Sequence, residues 1–153
     1  MKKLLLIPLL SLVFVACDSK KGTFLETVNI KGDVPTAVDK FVKLVKDQGL
    51  TYFETIDHSK NAKDAGLRLK PESVVVFGNV QMGSKLMECN PSMGLDLPLK
   101  MLFSTSYEGQ TSLTYTNPEY WTLKHNIKNK NCLAIINKAS IAMYDLANAM
   151  KNK

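Results

Sequence analysis

The segment Val74–Lys100 constrains the fold more than any other stretch, because turn-forming residues are concentrated there between two apolar runs. It begins as an apolar strand, turns at Gly78-Asn79, continues as a short helix and turns again at Asn90-Pro91. It leaves through Gly94-Leu95-Asp96-Leu97-Pro98 into a second apolar run. The pattern predicts two strands joined by a short helix and sharp turns. We expect this segment to fix the geometry of a sheet rather than to perform chemistry itself.

Residues 1–16 have the pattern of a secretory signal peptide, with a basic start at Lys2-Lys3 and an apolar run from Leu4 to Ala16. That run is too short for a membrane-spanning helix, which needs about 20 apolar residues. Phe14-Val15-Ala16-Cys17 resembles a bacterial lipobox, so we expect Cys17 to become an acylated first residue, with palmitate as one acyl group. An ordinary signal peptide with an incidental cysteine is the alternative. The prediction is a lipoprotein on the outer side of the cytoplasmic membrane, in the periplasm if the cell is Gram-negative.

The rest of the chain is predicted to be a short tether, residues 17–23, and a single domain, residues 24–153. At 153 residues and 45% hydrophobic content, the chain can supply one core. The formal net charge of +6 suits a domain that lies near anionic lipid. A nucleic-acid partner is not expected, because no cluster of basic residues alternates with aromatic residues.

Alternating and helical patterns predict a mixed fold. Phe24–Ile30 alternates as a strand, and Thr36 with Asp39 resembles the capping box of a first helix that ends at Gly49. Further strands are predicted at 50–56, 73–77, 99–106 and 112–116, with helices at 59–65, after Asn117-Pro118, and at 132–150. This arrangement favours an α+β domain, in which helices cover one face of an antiparallel sheet.

Two of the three cysteines, Cys89 and Cys132, would remain after lipidation of Cys17. They can pair outside the cytoplasm, or each can serve as a small buried apolar residue. A domain of this size does not need a covalent staple, so two unpaired thiols are the preferred interpretation.

Several ordered motifs resemble the bacterial and archaeal family known as domain of unknown function 302, over about residues 36–150. They are Ile56-Asp57-His58, Ala65–Pro71, Phe77-Gly78-Asn79, Gly83 with Leu86-Met87, Gly94–Lys100, Leu113–Tyr115 with Asn117-Pro118, and Lys124-His125. The resemblance implies the order β-α-β-β-β-β-α, a fold similar to the TATA-binding-protein-like group, and self-association, here a possible homodimer. It implies no activity. Lys85 and Lys124 stand where the family usually has proline and arginine.

The chain has two histidines, His58 and His125, and both fall in these motifs. One interpretation makes them metal ligands, or a general base and its partner, with Asp57 or Asp96 orienting an imidazole. The plainer interpretation is a helix-start residue at His58 and a packing or surface residue at His125. We prefer the plainer one, because no His-x-x-His or Cys-x-x-Cys spacing supports a metal site.

Two other groups of residues invite chemical interpretations. Met82, Met87, Cys89 and Met93 could offer soft ligands to Cu(I), but packing is preferred because no methionine motif repeats. Asn79 follows a strand-end glycine and could help present backbone N–H groups to an anion, although a tight turn is the simpler account. Asp96 lies between leucines and, if buried, must accept hydrogen bonds.

These observations predict a membrane-anchored envelope lipoprotein, and we prefer a binding module for a small ligand or a partner over an enzyme. Its pocket is predicted to be lined by His58, Asn79, Asp96, Tyr120 and His125. No catalytic residue, metal or cofactor is predicted. The competing hypothesis is a redox, metal-binding or hydrolytic enzyme that uses His58 and His125 with Asp96 or Cys89.

Overall fold

The computed structural model describes residues 24–151, which form one five-stranded antiparallel sheet and its associated helices. In chain order the elements are β1 (Leu25–Asn29), α1 (Val34–Asp47), β2 (Thr51–Asp57), α2 (His58–Asp64), β3 (Glu72–Gly78), α3 (Val80–Cys89), a 3₁₀ helix (Pro91–Leu95), β4 (Leu99–Thr105), β5 (Thr111–Thr116), α4 (Tyr120–Lys124) and α5 (Lys130–Met150). The predicted signal peptide and tether lie outside the described residues. No helix among residues 24–151 is long and apolar enough to cross a membrane.

The sheet has the strand order β1-β5-β4-β3-β2, and all neighbours are antiparallel. Strands β2 to β5 follow one another as a meander, and β1 pairs with the far edge of β5. The register places Val75 opposite Met101 and Phe103 opposite Leu113, so buried residues of neighbouring strands lie side by side. The predicted α+β class, antiparallel sheet and element order are confirmed.

The main core lies between one face of this sheet and two helices. Because side chains alternate across a strand, one apolar set from β3, β4 and β5 points toward α1. Phe41 of α1 packs between Phe77 and Phe103, with ring centroids 5.2 and 5.3 Å away. The C-terminal part of α5, including Met143 and Leu146, completes this core.

A second apolar cluster holds together the elements that follow β3. It joins α3, the 3₁₀ helix, α4 and the N-terminal part of α5. Its buried members are Leu86, Met93, Trp121, Ile127, Cys132, Ile136 and Ala139. The turn-dense segment identified in the sequence therefore packs against the last two helices.

The start of α1 differs from the prediction. Asp33, not Thr36, is the N-terminal cap, and its carboxylate accepts a hydrogen bond of 2.9 Å from the backbone N–H of Thr36. Because the backbone of Asp33 is extended, its carboxylate reaches a free N–H of the first turn. Pro35 then lies inside that turn. Gly49 adopts a φ of 69° just beyond the helix, as the predicted C-terminal cap requires.

The expectation of unpaired thiols is wrong, since Cys89 and Cys132 form a disulfide. The last residue of α3 and the first turn of α5 bring their Cα atoms to 6.2 Å, within the range that a disulfide spans. The covalent bond closes a loop with a sequence separation of 43 residues. It links α3 to α5 across the second apolar cluster.

Candidate functional site

A partly buried polar cluster forms where the 3₁₀ segment meets the end of α4. His125 Nδ1 lies 2.7 Å from the Ser92 hydroxyl, and its Nε2 lies 2.5 Å from Oδ2 of Asp96. The other carboxylate oxygen of Asp96 accepts a hydrogen bond of 2.8 Å from Lys124 Nζ. Asn90 Nδ2 donates to the backbone carbonyl of His125 over 2.8 Å. We refer to Asn90, Ser92, Asp96, Lys124 and His125 as the Asp96–His125 cluster.

The charges in this cluster favour an ionised Asp96. Partial burial of the carboxyl raises its pKa, but hydrogen bonds from Lys124 and His125 and their charges outweigh burial, so the pKa of Asp96 lies below its usual value. The same contact raises the pKa of Lys124. With Asp96 ionised, His125 Nε2–H donates to the carboxylate, and a second hydrogen bond joins Nδ1 of the ring to the Ser92 hydroxyl.

Serine, histidine and aspartate are hydrogen-bonded here in the order of a nucleophile, its base and an orienting acid. A catalytic site must also be accessible to its substrate, and this histidine is buried. The His125 side chain is only 2% exposed. Nucleophilic catalysis needs space for a reacting atom about 3 Å from the nucleophile, and none of Ser92, Asp96 and His125 lines the apolar cavity described below. We therefore assign the cluster a positioning role, in which it fixes residues 90–96 against the end of α4.

An apolar cavity lies between α3, α5 and the ends of the strands, and has a volume of about 250 Å³. Except for Asn79 and Ser84, its lining residues are apolar or glycine. They are Leu50, Phe53, Gly78, Asn79, Val80, Met82, Gly83, Ser84, Leu86, Met87, Gly94, Leu97, Pro98, Leu99, Trp121, Ala139, Ala142 and Leu146. Phe53 and Val80 are 46% and 57% exposed, which places them at its mouth. We call this space the α3–α5 cavity.

Gly83 makes room for the cavity inside α3. A Cβ atom at this position would meet the side chain of Leu97 at 3.8 Å, an ordinary contact distance, so an alanine fits but a longer side chain would enter the cavity. The Asp96–His125 cluster lies next to this wall, because Leu97 directly follows Asp96 and Trp121 precedes Lys124 on α4. The cluster and the cavity therefore share the same structural segments.

The five predicted pocket residues do not share one place. Asp96 and His125 are in direct contact, whereas Asn79 lines the α3–α5 cavity and caps α3 by accepting from the N–H of Met82 at 3.0 Å. Tyr120 begins α4 and packs its ring on Phe24, with centroids 4.0 Å apart.

His58 starts α2 and is separate from the cluster and from the cavity lining. Its neighbour Asp57 caps that helix, accepting from Ser59 Oγ at 2.6 Å and from the N–H of Lys60 at 2.8 Å. The hydrogen bond from Ser59 contributes most to a lowered pKa of Asp57. Asp57 thus serves the helix, and Asp96 is the carboxylate that orients an imidazole. Ligand binding by any of the five stays a prediction.

The residues considered for a metal are distributed among other roles. Within residues 24–151, no three His, Cys, Asp or Glu side chains gather in a group that could hold a metal ion. Met82 and Met87 line the cavity, Met93 is fully buried, and Cys89 is in the disulfide. Cysteine binds a metal as the thiolate, so the Cu(I) set that was considered and not preferred loses its cysteine to the disulfide.

Sequence reasoning missed Ser92, Trp121 and the alanines of α5. Ser92 faces His125 across 33 positions of the chain, a pairing that no local pattern indicates. The one usable signal was the run of small residues Ala139 and Ala142 on the apolar stripe of α5, where small side chains leave room that larger ones would fill.

Comparison with known proteins gives a family and a fold but no activity. Residues 26–150 match the model of a family described as Domain of unknown function DUF302. A crystal structure described as an uncharacterized conserved protein DUF302 from Bacillus stearothermophilus matches with a TM-score of 0.75 at 15% identity, over 84% of this chain and 99% of that one.

The chain is also similar to part of several longer proteins that are named as ion channels. Proteins from Brucella suis and Brucella abortus, both named fluoride-specific ion channel FluC 1, are 32% identical to this chain over 111 residues. The matches cover 72% of this chain but only 44% and 41% of those proteins. The chain therefore spans less than half the length of the curated relatives it matches.

Proposed function

This chain belongs to the domain of unknown function 302 family, which carries no named activity, and we propose that it is an envelope lipoprotein that binds a small apolar ligand in the α3–α5 cavity. The observation that carries the proposal is the cavity itself. Small-molecule sites are concave and mainly apolar, with volumes from about 300 Å³ upward. The α3–α5 cavity lies just below that range, at about 250 Å³.

The lining defines the class of ligand. None of the cavity-lining residues, all within the described part of the chain, carries a charge, so a charged group bound inside would lack a partner. An apolar cavity of about 150 Å³ can hold benzene. The larger α3–α5 cavity would take an aromatic ring with a substituent or a short acyl chain. Asn79 and Ser84 would receive a polar end at the rim.

Three observations support a location at the outer surface of a membrane. The first is the lipobox-like sequence that ends at Cys17. The second is the disulfide between Cys89 and Cys132, because disulfides persist in oxidising compartments outside the cytoplasm. The third is that the curated relatives, longer proteins that match this chain over part of their length, are named as ion channels. A similar region within a membrane protein fits a domain that lies close to a bilayer.

The ligand proposal can be tested through Trp121, the one tryptophan of the chain, which lines the cavity and is 3% exposed. We expect a brominated aromatic compound or a short brominated alkane to quench Trp121 fluorescence on contact. Ala142 is an exposed residue of the lining, so phenylalanine there would obstruct the rim of the cavity, and Ala142→Phe should weaken ligand binding at least tenfold. The matched control is Ala134→Phe, on an exposed position of the same helix outside the cavity lining.

The measurement is the quenching curve of the full chain in detergent, where ligand partitioning into micelles is the same for all variants. Saturable quenching that Ala142→Phe weakens and Ala134→Phe leaves unchanged would support the proposal. Quenching that never saturates, or that is equal in both variants, would rule out the α3–α5 cavity as the binding site.

A further inference from the structure

We propose that the Cys89–Cys132 disulfide is a thiol–disulfide exchange site for a dithiol, and that its reduction releases α3 as a gate on the α3–α5 cavity. The exchange step stands on the disulfide and its surroundings alone. The gating step rests on the proposed ligand function.

The disulfide lies where a partner can reach it. Both cysteines line an open surface depression of about 440 Å³, together with polar residues from the end of α3 and the start of α5. Cys89 is half-buried, whereas Cys132 is buried. Lys85 and Glu88 border the depression on the α3 side, and Asn129 and Asn131 border it on the α5 side. A thiolate that enters the depression would therefore meet Cys89 Sγ first.

The position of Cys132 favours its departure as a thiolate. It lies in the first turn of the 21-residue helix α5, and Asn129 caps this turn by accepting from the backbone N–H groups of Asn131 and Cys132. The N-terminus of a long helix carries partial positive charge, which stabilises a thiolate in its first turn. Of the two sulfurs, Cys132 is thus the better leaving group.

The exchange balances with a dithiol as the reductant. One thiolate of the dithiol attacks Cys89 Sγ, a mixed disulfide forms, and the bond to Cys132 breaks with the electron pair on Cys132. The second thiolate of the dithiol then attacks the mixed disulfide and releases Cys89. Two electrons and two protons pass to the cysteines, which end as thiols, and the dithiol ends as a disulfide.

The disulfide holds a wall of the cavity that is otherwise weakly packed. Helix α3 supplies six lining residues, from Val80 to Met87, and α5 supplies the opposite wall at Ala139, Ala142 and Leu146. Among the residues of α3 only Leu86 is buried, whereas α5 buries residues along its whole length. The bond joins the end of α3 to α5 directly. Its loss leaves α3 held by the buried Leu86, by half-buried contacts with the 3₁₀ helix and α5, and by the chain at either end.

Both ends of α3 have their own anchors, so α3 can move without unfolding the domain. Before it, Gly78 belongs to β3, which pairs with β2 and β4, and after it the Asp96–His125 cluster fixes residues 90–96 to the end of α4. The sheet core around Phe77 and Phe103 contains no residue of α3. Reduction is therefore expected to loosen α3 and to leave the sheet intact.

The experiment compares the full chain before and after treatment with dithiothreitol in native buffer. We expect two new thiols by titration, at least tenfold faster hydrogen exchange in peptides from α3, and unchanged exchange in peptides from β3 and β4. Dissociation of the brominated probe, followed by recovery of Trp121 fluorescence, should become at least fivefold faster. The double variant Cys89→Ser/Cys132→Ser should reproduce the reduced behaviour and should not respond to dithiothreitol.

The possible failures are distinguishable. A disulfide that resists dithiothreitol until denaturant is added would overturn the exchange site. Loss of protection in β3 and β4 on reduction, or unchanged exchange in α3, would overturn the gate and leave the disulfide as a structural staple. If α3 loosens but the brominated probe binds neither form, the ligand function is refuted, and with it the role of α3 as a gate.

Discussion

Asp96 is the residue on which the positioning of the 3₁₀ segment depends. Its two carboxylate oxygens are divided between Lys124 and His125, and its side chain is 21% exposed. Charge-assisted hydrogen bonds in such a partly buried place are stronger than neutral ones. The lowered pKa of Asp96 means that folding stabilises its ionised form relative to the unfolded chain.

The first prediction concerns Asp96→Asn. The neutral amide keeps the shape but loses the negative charge that accepts hydrogen bonds from Lys124 and His125, so the free energy of unfolding at pH 7 should fall by about 1–3 kcal/mol. Because the folded pKa of Asp96 is below its usual value of 3.8, the contribution is complete above pH 3.8 and is lost as pH falls through the folded pKa. Urea unfolding of the wild type at pH 7 and at steps below pH 4 should show this loss.

The variant should show a weaker loss over the same pH range, since its amide does not titrate. Asp145→Asn removes an exposed carboxylate on α5 and serves as the control. If Asp96→Asn and Asp145→Asn have the same stability at pH 7 and the same acid dependence, Asp96 does not stabilise the fold as we argue.

The sequence indicated which individual residues need a hydrogen-bond partner, but it did not identify those partners. Asp96 between leucines had to find donors, and that requirement follows from elementary desolvation. The identity of the donors did not follow, because His125 lies 29 positions further along the chain. The same holds for Cys89 and Cys132, whose pairing depends on how α3 and α5 pack.

Among the elements, α5 shows how a cap sets a helix start. Its predicted start was Cys132, but it begins at Lys130, because Asn129 in extended backbone accepts from the N–H groups of Asn131 at 2.8 Å and Cys132 at 3.4 Å. The asparagine-rich joint before it was identified as a break, and one of its asparagines is the cap. A helix start predicted from apolar periodicity alone is too late in the sequence, because the first residues of α5 are polar.

The second prediction is that Asn129→Ala destabilises the oxidised protein by about 1 kcal/mol, the usual cost of losing an N-terminal cap. The reason is that two backbone N–H groups of the first turn of α5 lose their acceptor. Asn129→Ser is the matched variant and should stay within a few tenths of a kcal/mol of the wild type. Chemical denaturation of the three proteins measures the difference, and an alanine variant as stable as the serine variant would contradict the cap.

For the molecule as a whole, the sheet was the most predictable part. Strands β4 and β5 alternate between buried and less buried residues with period two, and the short turn at 107–110 makes them pair as a hairpin. The α3–α5 cavity could not be predicted in the same way. Its wall combines Leu50, Leu146 and residues of α3, which are far apart in the sequence. The size of the cavity therefore depends on how these elements pack.

The position of the domain in the cell gives the last prediction, for Cys17→Ser. If Cys17 carries the lipid, wild-type protein expressed in a bacterium should incorporate labelled palmitate and sediment with membranes. The serine variant should lose the label and move to the aqueous fraction, because weak attraction of basic residues to anionic lipid does not by itself hold a protein on a bilayer at physiological salt. Cys89→Ser, which removes another cysteine, should keep the label. Equal labelling of wild type and Cys17→Ser would place any acyl group elsewhere and would remove the lipid anchor from the proposal.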